Sequence, residues 1–137
     1  MGLADLFFTF SGRINRGKLW LGVLLLMVIG ILGYLGIVAL LGVPFTVSNL
    51  DDVAANNAEP LIEFSVPGLI GYAVLTLISG FMYFSLMIKR CHDRGKSGWW
   101  SLLSLIPIVG FIWFIIDLGV MEGDEGPNQY GPNPLRV

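Results

Sequence analysis

The sequence contains few charged residues. Of its 137 residues, 8 are Lys or Arg and 10 are Asp or Glu, which amounts to 13%. A soluble domain carries about 25% charged residues. Because 55% of the residues are hydrophobic, the composition excludes both a disordered chain and a globule exposed to water. We therefore expect a small integral membrane protein of one domain.

Cysteine and histidine are almost absent, with Cys91 and His92 as the single representatives. One cysteine excludes an internal disulfide, and the pair supplies no ligand set for a zinc or iron site in a monomer. The formal net charge is -2, so no net basic field exists to hold phosphate. We expect no cofactor and no nucleic-acid partner.

Long uncharged runs are present instead. Residues 19–43 form a run of 25 residues, of which 16 are Leu, Ile or Val. At about 1.5 Å per residue such a helix reaches roughly 37 Å, which exceeds a hydrocarbon core of about 30 Å. A second uncharged run covers residues 68–88, and a third segment, residues 99–118, stays apolar as far as Ile116 and has Asp117 at its far end. The sequence predicts an all-α integral membrane protein with three transmembrane helices.

Pro107 interrupts the third run and leaves two interpretations open. The helix is kinked, since proline removes a backbone donor. Alternatively, residues 99–118 form a re-entrant hairpin that turns at Pro107 and leaves on the side it entered, which requires protein or water around its irregular backbone. With only two other helices to shield it, we expect the kinked span, which places Asp117 at the far interface.

The basic residues are sorted along the chain. Seven of the eight precede the first run or lie between the second and third, namely Arg13, Arg16, Lys18, Lys89, Arg90, Arg94 and Lys96. The positive-inside rule then predicts a cytoplasmic N-terminus and a cytoplasmic basic hinge at residues 89–98. The loop at 44–67 contains four acidic residues and no basic one, so we expect it outside. The polar tail, 119–137, is also outside if the third run crosses.

The remaining segments have simpler patterns. Apolar side chains at Leu3, Leu6, Phe7 and Phe10 predict a short interfacial amphipathic helix over residues 2–11 on the cytoplasmic leaflet. The loop at 44–67 contains polar, turn-rich stretches at 48–52 and 56–57, so we expect it to be irregular. The tail is dense in Gly, Pro, Asn and Asp, which predicts turns.

The basic hinge combines structural and binding features. Gly95 can end the second helix, and Ser97 can cap the next. The hinge cations adjoin two tryptophans and can attract anionic headgroups with about 1 kcal/mol each. Catalysis by Cys91, His92 and Asp93 is not expected, because consecutive helical residues point about 100° apart and cannot align as a relay.

Three stretches together resemble a known family. Residues 10–20 resemble "F-x-G-R-x-x-R-x-x-[FY]-W", residues 89–100 resemble "R-R-L-H-D-x-x-x-S-[GA]-W-W", and residues 125–134 resemble "G-x-N-x-[YF]-G-P-x-P". In this order they are similar to the domain-of-unknown-function family 805, small bacterial inner-membrane proteins. The resemblance implies an inner-membrane location and supports three segments, but brings no established activity. Lys89 and Cys91 depart from the pattern, which has Arg and Leu there.

The motifs and the basic residues together define the candidate site. It is a lipid or partner binding surface, or a structural polar cluster, made of Arg13, Arg16, Lys18, Arg90, His92, Asp93, Arg94, Lys96, Ser97, Trp99 and Trp100, with the tail residues Asn128, Tyr130 and Gly131 highlighted by the resemblance. We expect Arg13 or Arg90 to pair with Asp93, buried against the two tryptophans. This cluster would join the N-terminal arm, by which we mean the residues before the first run (2–18), to the hinge.

The leading hypothesis is a non-enzymatic binding or assembly module whose basic-aromatic face contacts anionic lipid or a partner protein. A first alternative is an oligomeric small transporter or channel subunit, although no charged residue lies near the middle of any run, as such proteins usually require. A second alternative is an interfacial lipid-modifying enzyme that uses His92 and Asp93.

Overall fold

The computed structural model describes residues 2–47, 54–55 and 62–136. Its helices are α1 (Leu3–Phe8), α2 (Arg16–Leu41), α3 (Val66–Asp93), a 3-10 helix (Gly98–Leu105), α4 (Val109–Trp113) and a π-helix (Phe114–Val120), and its strands are β1 (Phe45–Val47) and β2 (Ile62–Phe64). Within these described ranges, two helices, α2 and α3, are long and apolar enough to cross a membrane, and a shorter apolar helix follows at Val109–Val120. The chain therefore has the mostly helical architecture of a membrane protein.

The two long helices have clear end signals. Asn15 caps α2, because its Oδ1 accepts a hydrogen bond from the backbone N–H of Lys18 at 2.8 Å. Helix α3 continues past the predicted boundary at residue 88 to Asp93, so the first half of the basic hinge is helical. Gly95 then adopts φ +65°, the left-handed conformation that ends a helix. The prediction for Gly95 is confirmed.

The loop at 44–67 is more regular than predicted at its ends. Strands β1 and β2 pair antiparallel, with Phe45 opposite Phe64. Aromatic and β-branched residues favour this extended pairing, so the expectation of an irregular loop is wrong here. The polar stretches at 48–52 and 56–57 lie outside the described residues.

The described chain divides into two compact units. One combines Met1–Met27 with Gly80–Val137, and the other comprises Val28–Ser79. In the second unit, α2 and α3 approach closely at Gly33, where an added Cβ would lie 2.8 Å from a methyl group of Leu75. The absence of a side chain at Gly33 therefore allows this helix contact.

The first unit contains the described hydrophobic core. Its buried side chains are Leu6, Phe7, Ile14, Leu19, Met82, Leu86, Met87, Cys91 and Leu118. Helix α1 contributes the first two and is shorter than the predicted segment 2–11. These two side chains are buried in the core, whereas Leu3 and Phe8 are exposed.

Helix α3 also binds the end of α1 through polar groups. Lys89 Nζ donates to the carbonyl oxygen of Leu6 at 2.7 Å, and Ser85 Oγ donates to that of Thr9 at 2.5 Å. The last carbonyls of a helix have no partner within the helix. Because Lys89 and Ser85 supply these partners, the N-terminal arm is fixed to α3.

The predicted kinked helix at 99–118 is wrong. The chain runs through the 3-10 helix, turns at Ile106–Pro107–Ile108 and returns through α4 and the π-helix. Asp117 Oδ2 lies 2.7 Å from Lys96 Nζ, whereas one helix from Trp99 to Asp117 would separate these ends by about 27 Å. We call residues 98–120 the hairpin; the tail accordingly begins at Met121.

Three local features produce the turn. We call the 3-10 helix the first limb of the hairpin, and α4 with the π-helix the second limb. Pro107 has no N–H to continue the hydrogen bonds of the first limb. Ile108 adopts φ +65°, and Val109 N–H donates to the Pro107 carbonyl at 2.7 Å, which closes a tight γ-turn. Gly110 lets the limbs touch, because an added Cβ would overlap the carbonyl oxygen of Leu103.

Candidate functional site

Asp93 lies at the end of α3 between two arginines. Arg13 Nε donates to Asp93 Oδ1 at 3.1 Å, and Arg90 Nη1 pairs with Asp93 Oδ2. All three side chains are buried in the first unit. We call these residues the Asp93 cluster. Both pairings that the sequence offered as alternatives for Asp93 are present together.

The remaining arginine donors bind backbone carbonyls. Arg13 donates to Asp124 at 2.7 Å, Gly126 at 2.8 Å and Gly131 at 3.2 Å. A planar guanidinium with five N–H donors is suited to several acceptors at fixed angles. Since buried charges are costly unless they are paired and hydrogen-bonded, these carbonyls explain how two arginines share one carboxylate.

Arg90 binds the chain that follows the hairpin turn. Its Nε donates to the Leu118 carbonyl at 2.7 Å and its Nη2 to the Met121 carbonyl at 2.5 Å. The tail then passes directly over Asp93 at Gly123, where an added Cβ would overlap the carboxylate. The Asp93 cluster thus binds the arm, α3 and the tail in one contact network.

His92, in the second of the three motifs, contacts residues of the first and the third. Its ring stacks on Tyr130 with centroids 3.8 Å apart and planes 5° from parallel. Its Nδ1 lies 3.2 Å from the Gly12 carbonyl oxygen, and its own carbonyl accepts from Asn128 Nδ2 at 2.9 Å. These contacts give His92 a structural role between the arm and the tail.

A second ionic contact closes the base of the hairpin. Asp117 accepts from Arg94 Nη2 at 3.1 Å and from Lys96 Nζ at 2.7 Å. Burial raises the pKa of Asp117, but the hydrogen bonds from Lys96 and Arg94 outweigh burial and hold the pKa below the ordinary value of an aspartate. Asp117 is therefore ionised at neutral pH. We call these three residues the Asp117 clasp.

The two hinge tryptophans lie outside the cluster. Trp99 is 79% exposed and Trp100 is 51% exposed, so the expectation that they bury the Arg–Asp pairs is wrong. The tail covers the cluster instead. Lys96 Nζ lies 5.4 Å from the ring centroid of Trp100, and Ser97 caps the 3-10 helix by accepting from Trp99 N–H at 3.4 Å.

The other predicted cations lie at the surface. Arg16 pairs with the exposed Glu122 at 3.0 Å and donates to the Val120 carbonyl at 2.8 Å. Lys18 makes no ion pair with any residue in the described part of the chain. Of the predicted site residues, Arg16, Lys18, Trp99 and Trp100 therefore lie apart from the buried network.

Sequence reasoning missed three contributors. From the sequence, Lys89 is predicted only as one of the hinge cations, although its spacing of four from Ser85 indicates that both lie on one face of the helix. Asp117 was placed at the far interface, although a lone carboxylate in an apolar segment needs a charged partner. Gly123 carried no recognisable signal.

The described residues contain no group of three or more His, Cys, Asp or Glu side chains placed to hold a metal ion. An open pocket of about 470 Å³ lies between the arm and the tail. Its walls include Arg90 and Asp93, whose polar atoms already bind each other and the backbone. Among the described residues that line this pocket, these two buried side chains therefore leave no free polar group for a ligand.

Comparison with known proteins gives a family and several relatives. The family model "Protein of unknown function (DUF805)" matches residues 7–132. The chain is 38% identical over 68 residues to the inner membrane protein YhaH of Escherichia coli (strain K12), a match covering 47% of this chain and 55% of YhaH, so it spans about half the length of that relative. It is 26% identical over 126 residues to the inner membrane protein YhaI of the same organism, covering 91% of this chain and 85% of YhaI. No solved structure matches the chain.

Proposed function

Since the chain belongs to the DUF805 family of proteins of unknown function, we propose a function from its own geometry. The protein is a non-enzymatic binding module of the bacterial inner membrane that binds anionic lipid headgroups at its cytoplasmic face. Its relatives YhaH and YhaI are named inner membrane proteins, which supports the location.

The proposed orientation follows from charge and contact. In this proposal helices α2 and α3 cross the membrane, and the basic residues before α2 and after α3 favour a cytoplasmic location for those ends. The Asp93 cluster binds the tail to the same ends. The arm, the hinge and the tail together form one cytoplasmic platform, so the tail is not external.

The exposed corner at Lys96, Trp99 and Trp100 carries the proposal. Indole rings prefer the headgroup layer, and both rings are open to it. A cation 5.4 Å from the Trp100 centroid adds positive charge at the same place. The arginines of the Asp93 cluster do not contribute, because they are buried in internal pairs.

The test compares two variants with opposite expected effects. Lys96→Gln removes a cation, so binding of phosphatidylglycerol relative to phosphatidylcholine should fall about fivefold, as about 1 kcal/mol per basic residue implies. Asp117→Asn releases Lys96 and Arg94 from their counterion, so the same preference should rise. The readout is native mass spectrometry of the purified protein in mixed-lipid nanodiscs.

Arg16→Gln is the matched control, because Arg16 is a surface cation paired with Glu122 and is not one of the three residues of the corner. It should leave the lipid preference within about twofold of the unmodified chain, since no cation is lost from the corner. An unchanged preference in both Lys96→Gln and Asp117→Asn, with both variants folded by thermal melting, would contradict headgroup binding at this corner.

A second candidate, an oligomeric module, is favoured by a groove in the second unit. This groove, of about 510 Å³, is lined by the four hydroxyl-bearing residues that α2 and α3 have between Val28 and Ser79, namely Tyr34, Tyr72, Thr76 and Ser79. An added Cβ at Gly30, in the same groove, would meet nothing within 4 Å. Small residues and hydroxyl groups favour close packing of a further helix in a membrane.

Disulfide trapping tests this candidate. Ser79→Cys in native membranes should give covalent dimers on oxidation, whereas Val74→Cys, an exposed residue outside the groove lining, should not. Absence of dimers in both, with normal protein levels, would oppose an oligomer through the groove. If Ser79→Cys does form dimers, transport by the oligomer is measured as solute flux in liposomes.

A further inference from the structure

The hairpin at residues 98–120 has a polar base and an apolar tip. The Asp117 clasp binds the second limb to the hinge at the base. At the tip, Ile108 is 74% exposed and Phe111 is 68% exposed. In a protein with membrane-crossing helices, such a tip requires either a lipid or a protein environment, because water would leave a large apolar patch uncovered.

Contacts within the first unit give the direction of the hairpin. Tyr83 of α3 lines a small cavity of about 160 Å³ together with Pro107 and Ile108. Tyr83 precedes Asp93 by ten residues, which corresponds to about 15 Å along the helix. The tip therefore lies beside the membrane part of α3, and the hairpin runs from the hinge towards the bilayer interior.

The length of the hairpin matches one leaflet. The first limb is a 3-10 helix of eight residues, which at about 2.0 Å per residue reaches about 16 Å. Half of a hydrocarbon core of about 30 Å is about 15 Å. The limb is therefore long enough to reach the middle of the bilayer and too short to cross it.

The turn also satisfies much of its own backbone. Ile106 N–H donates to Leu103 at 3.1 Å, Val109 N–H to Pro107 at 2.7 Å, and Gly110 N–H to Ile106 at 2.8 Å. Pro107 has no N–H. Because unsatisfied donors in hydrocarbon cost several kcal/mol each, these internal bonds remove the main objection to an irregular turn in lipid.

We propose that residues 98–120 form a re-entrant hairpin that inserts among the acyl chains of the cytoplasmic leaflet. Its tip lies near the middle of the bilayer and its base lies among the headgroups. The partner of this surface is lipid, and the exposed side chains of Ile108 and Phe111 contact the chains directly. The inference rests on the orientation given under the proposed function and adds the depth of the segment.

Depth-dependent quenching tests the insertion. Ile108→Cys and Val120→Cys are each labelled with an environment-sensitive fluorophore and reconstituted in phosphatidylcholine brominated at shallow or deep acyl positions. Cys91 is buried, so the unmodified chain gives the labelling background. We expect deep bromine to quench the probe at position 108 at least about twofold more than shallow bromine, because the tip lies near mid-bilayer. The reverse order is expected at position 120, an exposed residue at the base.

Two outcomes would overturn the proposal. Equal quenching profiles at the two labelled positions would mean that the hairpin lies flat in the interface. Reaction of the thiol in Val120→Cys with a membrane-impermeant maleimide from the outside would mean that the segment crosses, because a crossing helix from residue 99 would carry residue 120 to the outer surface. Neither readout depends on lipid preference, so loss of anionic headgroup binding with the deep profile retained would contradict only the proposed function.

Discussion

Arg13 binds more of this molecule than any spacing in the sequence indicates. Its guanidinium donates to one carboxylate oxygen of Asp93 and to three carbonyls of the tail. The charge pair itself was predictable, because an aspartate flanked by basic motif residues needs a counterion. The tail acceptors were not, because every residue has a carbonyl and no residue type marks the ones that are used.

Arg13→Lys should destabilise the first unit although it keeps the charge. Lysine has one ammonium group and cannot reach Asp93 and three carbonyls together, so we expect a loss of about 2–3 kcal/mol. Arg16→Lys is the matched control, with an expected change below about 0.5 kcal/mol because its pair is exposed. Thermal melting in mild detergent measures both, and equal melting temperatures for the two variants would contradict the role of Arg13.

Gly123→Ala tests the passage of the tail over Asp93. The added Cβ would overlap the carboxylate, so the tail must move and the stability should fall by about 1–3 kcal/mol. At Gly126 an added Cβ meets nothing within 4 Å, and Gly126→Ala should be neutral. The same melting experiment decides the point, and a neutral Gly123→Ala would show that the tail does not press on Asp93.

The hairpin is the element that the sequence described least well. An apolar run with a proline in its middle is compatible with both a kinked span and a re-entrant hairpin, so composition and length do not distinguish the two. The distinguishing information is Asp117, which pairs with Lys96 and Arg94 and so requires the segment to return to the hinge. The long helices were predictable because apolar runs of this length have few other stable structures in a membrane.

Glycine substitutions two residues apart test the turn of the hairpin. Ile108 has φ +65°, which is strained for a β-branched residue by about 1–3 kcal/mol, so Ile108→Gly relieves strain. Ile106 has φ -84°, and Ile106→Gly only adds flexibility. We expect Ile108→Gly to be more stable than Ile106→Gly by at least about 1 kcal/mol in thermal melting. The opposite order would exclude the tight turn at Ile108.

The Asp117 clasp should be insensitive to pH near neutrality. Because the folded-state pKa of Asp117 is lowered, its contribution is complete above the ordinary aspartate pKa of about 3.9 and is lost only as the pH falls through the lowered value. The difference in melting temperature between the unmodified chain and Asp117→Asn should therefore stay constant from about pH 5 to about pH 8. A difference that shrinks within this range would mean that Asp117 titrates there and is not held ionised.

At the scale of the whole molecule, the sorting of charge and the contacts of the tail both favour an arrangement with the arm, the hinge and the tail on the same side of the membrane. The predicted external position of the tail depended entirely on a third crossing. In the structure, six of the seven basic residues before α2 and in the hinge make internal contacts with the arm, the hairpin or the tail. The cations from which the orientation is proposed thus also bind the arm, the hairpin and the tail to one another.

Reporter fusions to the complete chain test this arrangement directly. We expect a fluorescent protein to be active at both termini and alkaline phosphatase to be inactive at both, because an even number of crossings returns the tail to the cytoplasm. Ala54→Cys, in the loop between α2 and α3, is the internal control and should react with an impermeant maleimide only from the outside, whereas Leu135→Cys, an exposed tail residue, should react only from the cytoplasm. Phosphatase activity at the C-terminus, with the thiol of Ala54→Cys still external, would restore the third crossing and with it the separation of the tail from the hinge.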